Sequence, residues 1–348
     1  MIFKRIVFLL PFLIFCLDSH ASSGFRQVTV ATPITAPLNV AVWYPSSSTG
    51  TTEKVGDNAA FDGVSVIQDG HPMAGKHPLL VISHGYNGNW RNLSWIAEAM
   101  AMQGYIVAAP DHPGTTTFNQ NPDDAKKLWN RPLELSYVID LVLRSPNLFG
   151  DTDATKIAAL GHSLGGWTVI SLAGAKFDSE RFINNCEGNA SRGDCKLIDR
   201  FGINNNIRPL LSASYRDSRI RSVVSLDPGL APGFTPKSLQ NITIPVLLLA
   251  AQNDQLAQLP SKQESSYLAT YIPSKLIQFK IIEGATHFSF MQLCKPNAES
   301  LINQESPGDG IVCHDGPNTT RENIHKRLLQ EISSFLNTTL HYHPTPSE

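Results

Sequence analysis

Short apolar runs alternate with amphipathic stretches along most of this chain. Leu79-Leu80-Val81-Ile82 is a continuous apolar run between Pro78 and Ser83, as in a strand covered on both faces. Tyr105 to Ala109, Ile157 to Leu160, Arg221 to Leu226, Pro245 to Ala251 and Leu276 to Ile282 have the same character. Between them, Leu93, Ile96, Ala97 and Met100 fall at helical spacing within 92–103, and Pro132 opens a second helix reaching Leu143. Gly166 to Ala175 reads as an apolar helix, and Ile324 to Leu336 as an amphipathic one that closes the fold. Strands alternating with helices predict an α/β fold with a mostly parallel sheet and helices on both faces. Ahead of this region, Gln27 to Val30 and Leu38 to Tyr44 read as the first strands. Pro45 to Lys76, rich in Ser, Thr, Gly and Asp, reads as long hairpin loops. Lys176 to Asp217 breaks the alternation with polar sequence, and is expected to be an insertion after a helix, lying over the site. The expectation is one domain over 22–348.

The first residues have a different pattern. Lys4 and Arg5 precede an almost purely apolar stretch from Ile6 to Leu17, and Ser19-His20-Ala21 places small residues where a signal peptidase reads them. The apolar run is short for a membrane span. Residues 1–21 are therefore expected to be a cleaved signal peptide, and the mature protein to be secreted or periplasmic. Charge adds an exclusion: the net charge of -2 with no dense Lys/Arg run disfavours nucleic acid as a partner. Export also changes the reading of the cysteines. Cys186, Cys195, Cys294 and Cys313 remain after cleavage, and four thiols in an exported chain suggest two disulfides. Three connectivities exist; pairing 186 with 195 and 294 with 313 is the simplest, because each pair brackets a short polar loop. No pair has the C-x-x-C spacing of a zinc site.

The strongest chemical signal is Gly161-His162-Ser163-Leu164-Gly165-Gly166, between a strand and a helix. A serine that attacks a carbonyl must stand clear of the sheet, so the strand turns sharply at Ser163, and glycines at 161 and 165 avoid side-chain clashes around that turn. The helix N-terminus that follows favours negative charge on the reacting oxygen. Ser83-His84-Gly85-Tyr86-Asn87-Gly88 follows the strand 79–82 and suits the second half of an oxyanion hole. Its two backbone donors would be the N–H groups of Tyr86 and Leu164. Of eleven histidines, His287 is the expected base, placed after the last strand in Glu283-Gly284-Ala285-Thr286-His287-Phe288. Asp254 and Asp227 compete as its acid, each just after a strand. Asp254, directly after the strand 245–251, is the expected acid and Asp227 the alternative.

These residues resemble the α/β-hydrolases over nearly the whole mature chain. Within that superfamily the chain is most similar to the bacterial dienelactone-hydrolase-like and platelet-activating-factor-acetylhydrolase-like group. Ser83-His84-Gly85, Ala109-Pro110-Asp111-His112-Pro113-Gly114, Leu226-Asp227-Pro228 and Gly284-Ala285-Thr286-His287-Phe288 carry the resemblance. It implies an α/β-hydrolase fold and ester hydrolysis, with short-acyl lipid and phospholipid esters among the substrates. Two departures matter. Dienelactone hydrolases have a cysteine where this chain has Ser163, and acetylhydrolases of the animal type take their acid after the earlier strand, which favours Asp227.

The expected function is that of a serine esterase with Ser163, His287 and Asp254, acting on small-molecule or lipid esters without metal or organic cofactor. An amidase or peptidase would use the same residues, and a binding protein on a hydrolase scaffold is the rival from another class.

Overall fold

Residues 22–188, 192–202, 208–253 and 260–343 are described by the computed structural model. The expected leader, residues 1–21, lies outside them, as does Asp254. Among the described residues ten strands form one sheet: β1 (Ser22–Val30), β2 (Leu38–Ser46), β3 (Glu53–Val55), β4 (Val64–Gln68), β5 (Lys76–Ser83), β6 (Ile106–Pro110), β7 (Asp151–His162), β8 (Ile220–Leu226), β9 (Val246–Asn253) and β10 (Ile277–Thr286). Their order is β10-β9-β8-β7-β5-β6-β2-β1-β4-β3. The run from β10 to β6 is parallel, and β2 joins β6 antiparallel. This is the α/β architecture expected from the alternation of strands and helices.

The unbroken apolar runs follow from burial on both faces of the sheet. Leu79 and Val81 pair with Ile157 and Ala159 and point to one core, while Leu80 and Ile82 pair with Ala158 and Leu160 and point to the other. The helices Asn130–Arg144 and Leu164–Leu172 cover the first face through Leu135, Val138, Ile139, Val169 and Ile170. On the second face lie the helices Ser94–Met102 and Arg321–Thr339. Thr320 caps the latter by accepting the Asn323 N–H, and Ile324, Leu328, Ile332 and Phe335 form its buried stripe. Each such side chain contributes roughly 1.5–3 kcal/mol on burial.

Two regions depart from expectation. The stretch 45–76 is not only loop: β3 and β4 pair antiparallel as a hairpin, with Glu53 opposite Val66, and β4 docks parallel to β1. The segment 176–217 is partly helical, with helices at Ser179–Cys186, Gly193–Phe201 and Arg208–Leu211. Cys186 is bonded to Cys195 and Cys294 to Cys313, the local pairing. No described helix is long and apolar enough to cross a membrane.

The chain passes from β5 to β6 on one side and returns to β7 on the other, so the order reverses between β5 and β7. Ligands of open α/β sheets bind at such a point, beyond the carboxyl ends of the strands. Ser163 and the loop 84–88 both emerge there.

The two helices of the second face are joined by a titratable contact. The His325 ring stacks on Trp95 at 3.5 Å, and its Nε2–H donates to the carbonyls of Ser289 and Met291. Burial, with Arg321 nearby, lowers its pKa to about 4. The unfolded chain then binds the proton more readily below about pH 6.5, so folded-state stability falls with acidification. We expect this group alone to remove roughly 2 kcal/mol between pH 7.5 and 5. Urea unfolding at both values should show a smaller drop for His325→Gln than for the wild type; equal drops would exclude this role.

Candidate active site

Strand β7 delivers its chain to a turn that serine adopts only under constraint. Ser163 has φ 57° and ψ −117°, outside the basins that suit a side chain, and the helix Leu164–Leu172 begins at the next residue. Backbone bonds hold the turn on both sides: Ser163 N–H donates to Leu226 O (2.9 Å), and Gly229 N–H donates to Ser163 O (3.3 Å). The glycines allow the surrounding backbones to meet. A Cβ on Gly161 would lie 2.0 Å from the carbonyl oxygen of Gly165, and one on Gly165 would lie 1.9 Å from that of Ser83. Neither clash involves a flexible side chain, so relief would require main-chain movement.

His287 opens a short 3-10 turn after β10, fixed by reciprocal bonds between Thr286 and Ser289. Its Nδ1 lies 2.6 Å from Oδ2 of Asp227, and both groups are buried. The other Asp227 oxygen accepts the Ala251 N–H at 2.9 Å. A carboxylate on Nδ1 selects the tautomer protonated there and leaves Nε2 available as a base. The expectation gave this position to Asp254, with Asp227 as the alternative. Asp254 lies outside the described residues, and Asp227 holds the nitrogen. Asp227 follows β8, which borders the serine strand β7.

Sequence reading gave His162 no part beyond the turn motif. Its Nε2–H donates to the backbone carbonyl of His287 (2.8 Å), and its ring packs between those of His287 and Phe290. Burial, reinforced by His287, lowers its pKa well below the usual histidine value, so it acts as a neutral strut. The signal was its place beside Ser163, which periodicity does not connect to a residue after β10.

The loop after β5 crosses close to the serine: a Cβ on Gly85 would lie 3.2 Å from that of Ser163. The backbone N–H of His112 donates to Nε2 of His84 (2.9 Å), so the neutral His84 ring carries its proton on Nδ1 and donates to Gly85 O (2.7 Å). Burial, with the Arg131 charge adding to it, lowers His84 to about 3. Gly88 N–H also donates to Gly85 O, at 3.2 Å. In a trans peptide the carbonyl and the next N–H point in opposite directions. With Gly85 O turned toward His84, the Tyr86 N–H points the other way. Neither Tyr86 N–H nor Leu164 N–H meets an acceptor among the described residues.

The segment 176–217 reaches this loop. Phe201 packs edge-on to the Tyr86 ring, with centroids 5.3 Å apart, and the Arg200 guanidinium lies 5.8 Å over the same ring. Buried Arg192 bonds Asp194 (2.6 Å) and Glu264 (2.9 Å). Those carboxyl groups accept the backbone N–H groups of Leu230 (3.2 Å) and Ala231 (2.7 Å), just past Asp227. Among the described residues no three His, Cys, Asp or Glu side chains gather as a metal site.

Residues 64–136, which contain the loop after β5, match the family described as platelet-activating factor acetylhydrolase, isoform II. A cutinase of Thermobifida alba, est1, is 26% identical over 60% of this chain and 53% of its own length. The bis(hydroxyethyl) terephthalate hydrolase of Streptomyces coelicolor is 22% identical over 66% of this chain and 56% of its own. The chain thus spans about half the length of these curated relatives. A solved ferulic acid esterase from Streptomyces cinnamoneus superposes with a TM-score of 0.60 at 17% identity, covering 95% of this chain and 93% of that one. Fold, turn geometry and relatives agree: the chain has the α/β-hydrolase fold and is similar to the platelet-activating-factor-acetylhydrolase-like and dienelactone-hydrolase-like group.

Proposed function

We propose that this chain is a serine hydrolase that cleaves carboxylic esters, with Ser163 as nucleophile, His287 as base and Asp227 as acid. The observation that carries the reading is the 2.6 Å bond from His287 to Asp227, beside a serine held in a strained strand-to-helix turn. In this cycle His287 Nε2 takes the serine proton as the oxygen attacks the ester carbonyl, and the Tyr86 and Leu164 N–H groups receive the oxyanion. The imidazolium then protonates the leaving alcohol, and the same ring activates water to release the acid. Asp227 stabilises the imidazolium without taking its proton.

The relatives support ester chemistry. Two of them, a terephthalate ester hydrolase and a ferulic acid esterase, add aromatic acyl esters to the short-acyl lipid and phospholipid esters. The contacts of Phe201 and Arg200 with Tyr86 support a covering role for 176–217 in choosing among them. The N-terminal apolar run and the two disulfides support export.

Three measurements test this. Ser163→Ala should lower ester turnover roughly 10⁴-fold or more and abolish labelling by a fluorophosphonate probe; equal turnover by pure folded mutant would refute the nucleophile. Asp227→Asn should cost about 10⁴-fold in kcat while Asp254→Asn keeps a substantial fraction. With both proteins shown folded by their melting curves, the reverse ranking would return the acid to Asp254. Phe201→Ala should change the ranking of acyl groups across a panel of p-nitrophenyl and phospholipid esters, and an unchanged ranking would count against the covering role.

A further inference from the structure

A buried cluster below the loop 84–88 lies outside the proposed triad. Arg131, on the helix Asn130–Arg144, is 2% exposed and directs four N–H groups at three different parts of the fold. Its Nε–H donates to Thr168 Oγ1 (3.0 Å) and Nη1 to Thr115 Oγ1 (2.5 Å). Nη2 donates both to Ser83 Oγ (3.1 Å) and to the backbone carbonyl of His84. Ser83 O–H passes the chain on to His112 Nε2 (2.9 Å), and His112 Nδ1–H bonds Glu134 Oε2 at 2.5 Å. The His112 backbone N–H is the donor that fixes the His84 tautomer. A guanidinium so deeply buried is costly unless its donors are satisfied, and here four of the five are.

The two ends of this network are the two halves of the oxyanion hole. On one side Arg131 binds the His84 carbonyl, two residues before Tyr86 N–H. On the other it binds Thr168, whose hydroxyl donates to the Leu164 carbonyl at 3.0 Å. We propose that Arg131 is a positioning residue for the oxyanion hole: one guanidinium sets the spacing between the Tyr86 and Leu164 donors. It touches no substrate and acts through the Ser83-His84 backbone and Thr168. The planar fork suits the task because its bonds leave in fixed directions, whereas a lysine ammonium is a point charge that cannot span the same acceptors. The inference rests on the serine hydrolase reading, since an oxyanion hole matters only if a tetrahedral oxyanion forms.

Arg131→Lys and the near-isosteric Thr168→Val test it. Each is titrated for active sites by fluorophosphonate labelling to completion, then measured for kcat, KM and the Ki of a boronic acid that forms a tetrahedral adduct with serine. A donor lost from an oxyanion hole costs about 10²–10³ in kcat, so misplacing one should cost roughly 10- to 100-fold per labelled site. KM should stay within about twofold and the boronate Ki should rise in parallel with the loss of kcat. Folded, labelled variants with unchanged kcat would overturn the proposal, as would a fall in kcat with an unchanged Ki. If Arg131→Lys does not fold, Thr168→Val decides by the same readings. A wild-type protein that neither labels at Ser163 nor cleaves esters would instead overturn the hydrolase reading.

Discussion

The contact on which the site depends is the approach of the helix Leu164–Leu172 to strand β5, where Gly165 lies against the carbonyl of Ser83. A single methyl group there would sit 1.9 Å from that oxygen. The approach is what lets a loop from one strand and a serine from its neighbour share a few ångströms of space. It also forces the turn at Ser163 into a backbone region that costs about 1–3 kcal/mol. The cost is borne by hydrogen bonds from the β8 side, through Leu226 and Gly229. The strand that braces the serine also leads into Asp227, so Ser163 and the partner of His287 are supported by one element.

Around that contact the protein places several buried polar groups. His84, His112, His162 and His287 are all shielded from solvent, as are Arg131 and Glu134. Burial disfavours the charged forms of Arg131 and Glu134, and each charge favours that of the other. An apolar core would be simpler to build, but it could not fix the direction of a peptide N–H. Hydrogen bonds are directional, and chains of them transmit orientation from rigid elements to a loop. Stability is spent here on geometry.

Legibility in the sequence followed range. The strand-to-helix turn at Ser163 with its glycines, and the loop 83–88 after a strand, were readable as local structure because each motif is contiguous. The place of His287 directly after the last strand was readable from the order of elements. The bond from Asp227 to His287 was not singled out, because two aspartates follow strands and the sequence does not show which one meets the ring. Arg131 and Glu134 lie on a helix whose apolar spacing gives no sign that two charged residues face inward. The strands of the hairpin in 45–76 were not assigned because they are short and lie among turn formers. For the aspartate and for Arg131 the deciding partners are distant in sequence.

The two ends of the sheet bear on how such a protein behaves when concentrated. A sheet with an open edge invites pairing with a second copy. Here one end is β3, three residues long, with Glu53 and Lys54 exposed. The other end is β10, where Ile281 is 52% exposed but its neighbour Lys280 is tied to Glu331 on the closing helix at 2.5 Å. A stub carrying opposite charges and a strand guarded by a lysine are poor templates for edge-to-edge growth. The architecture therefore resists strand-by-strand polymerisation at both ends of the sheet.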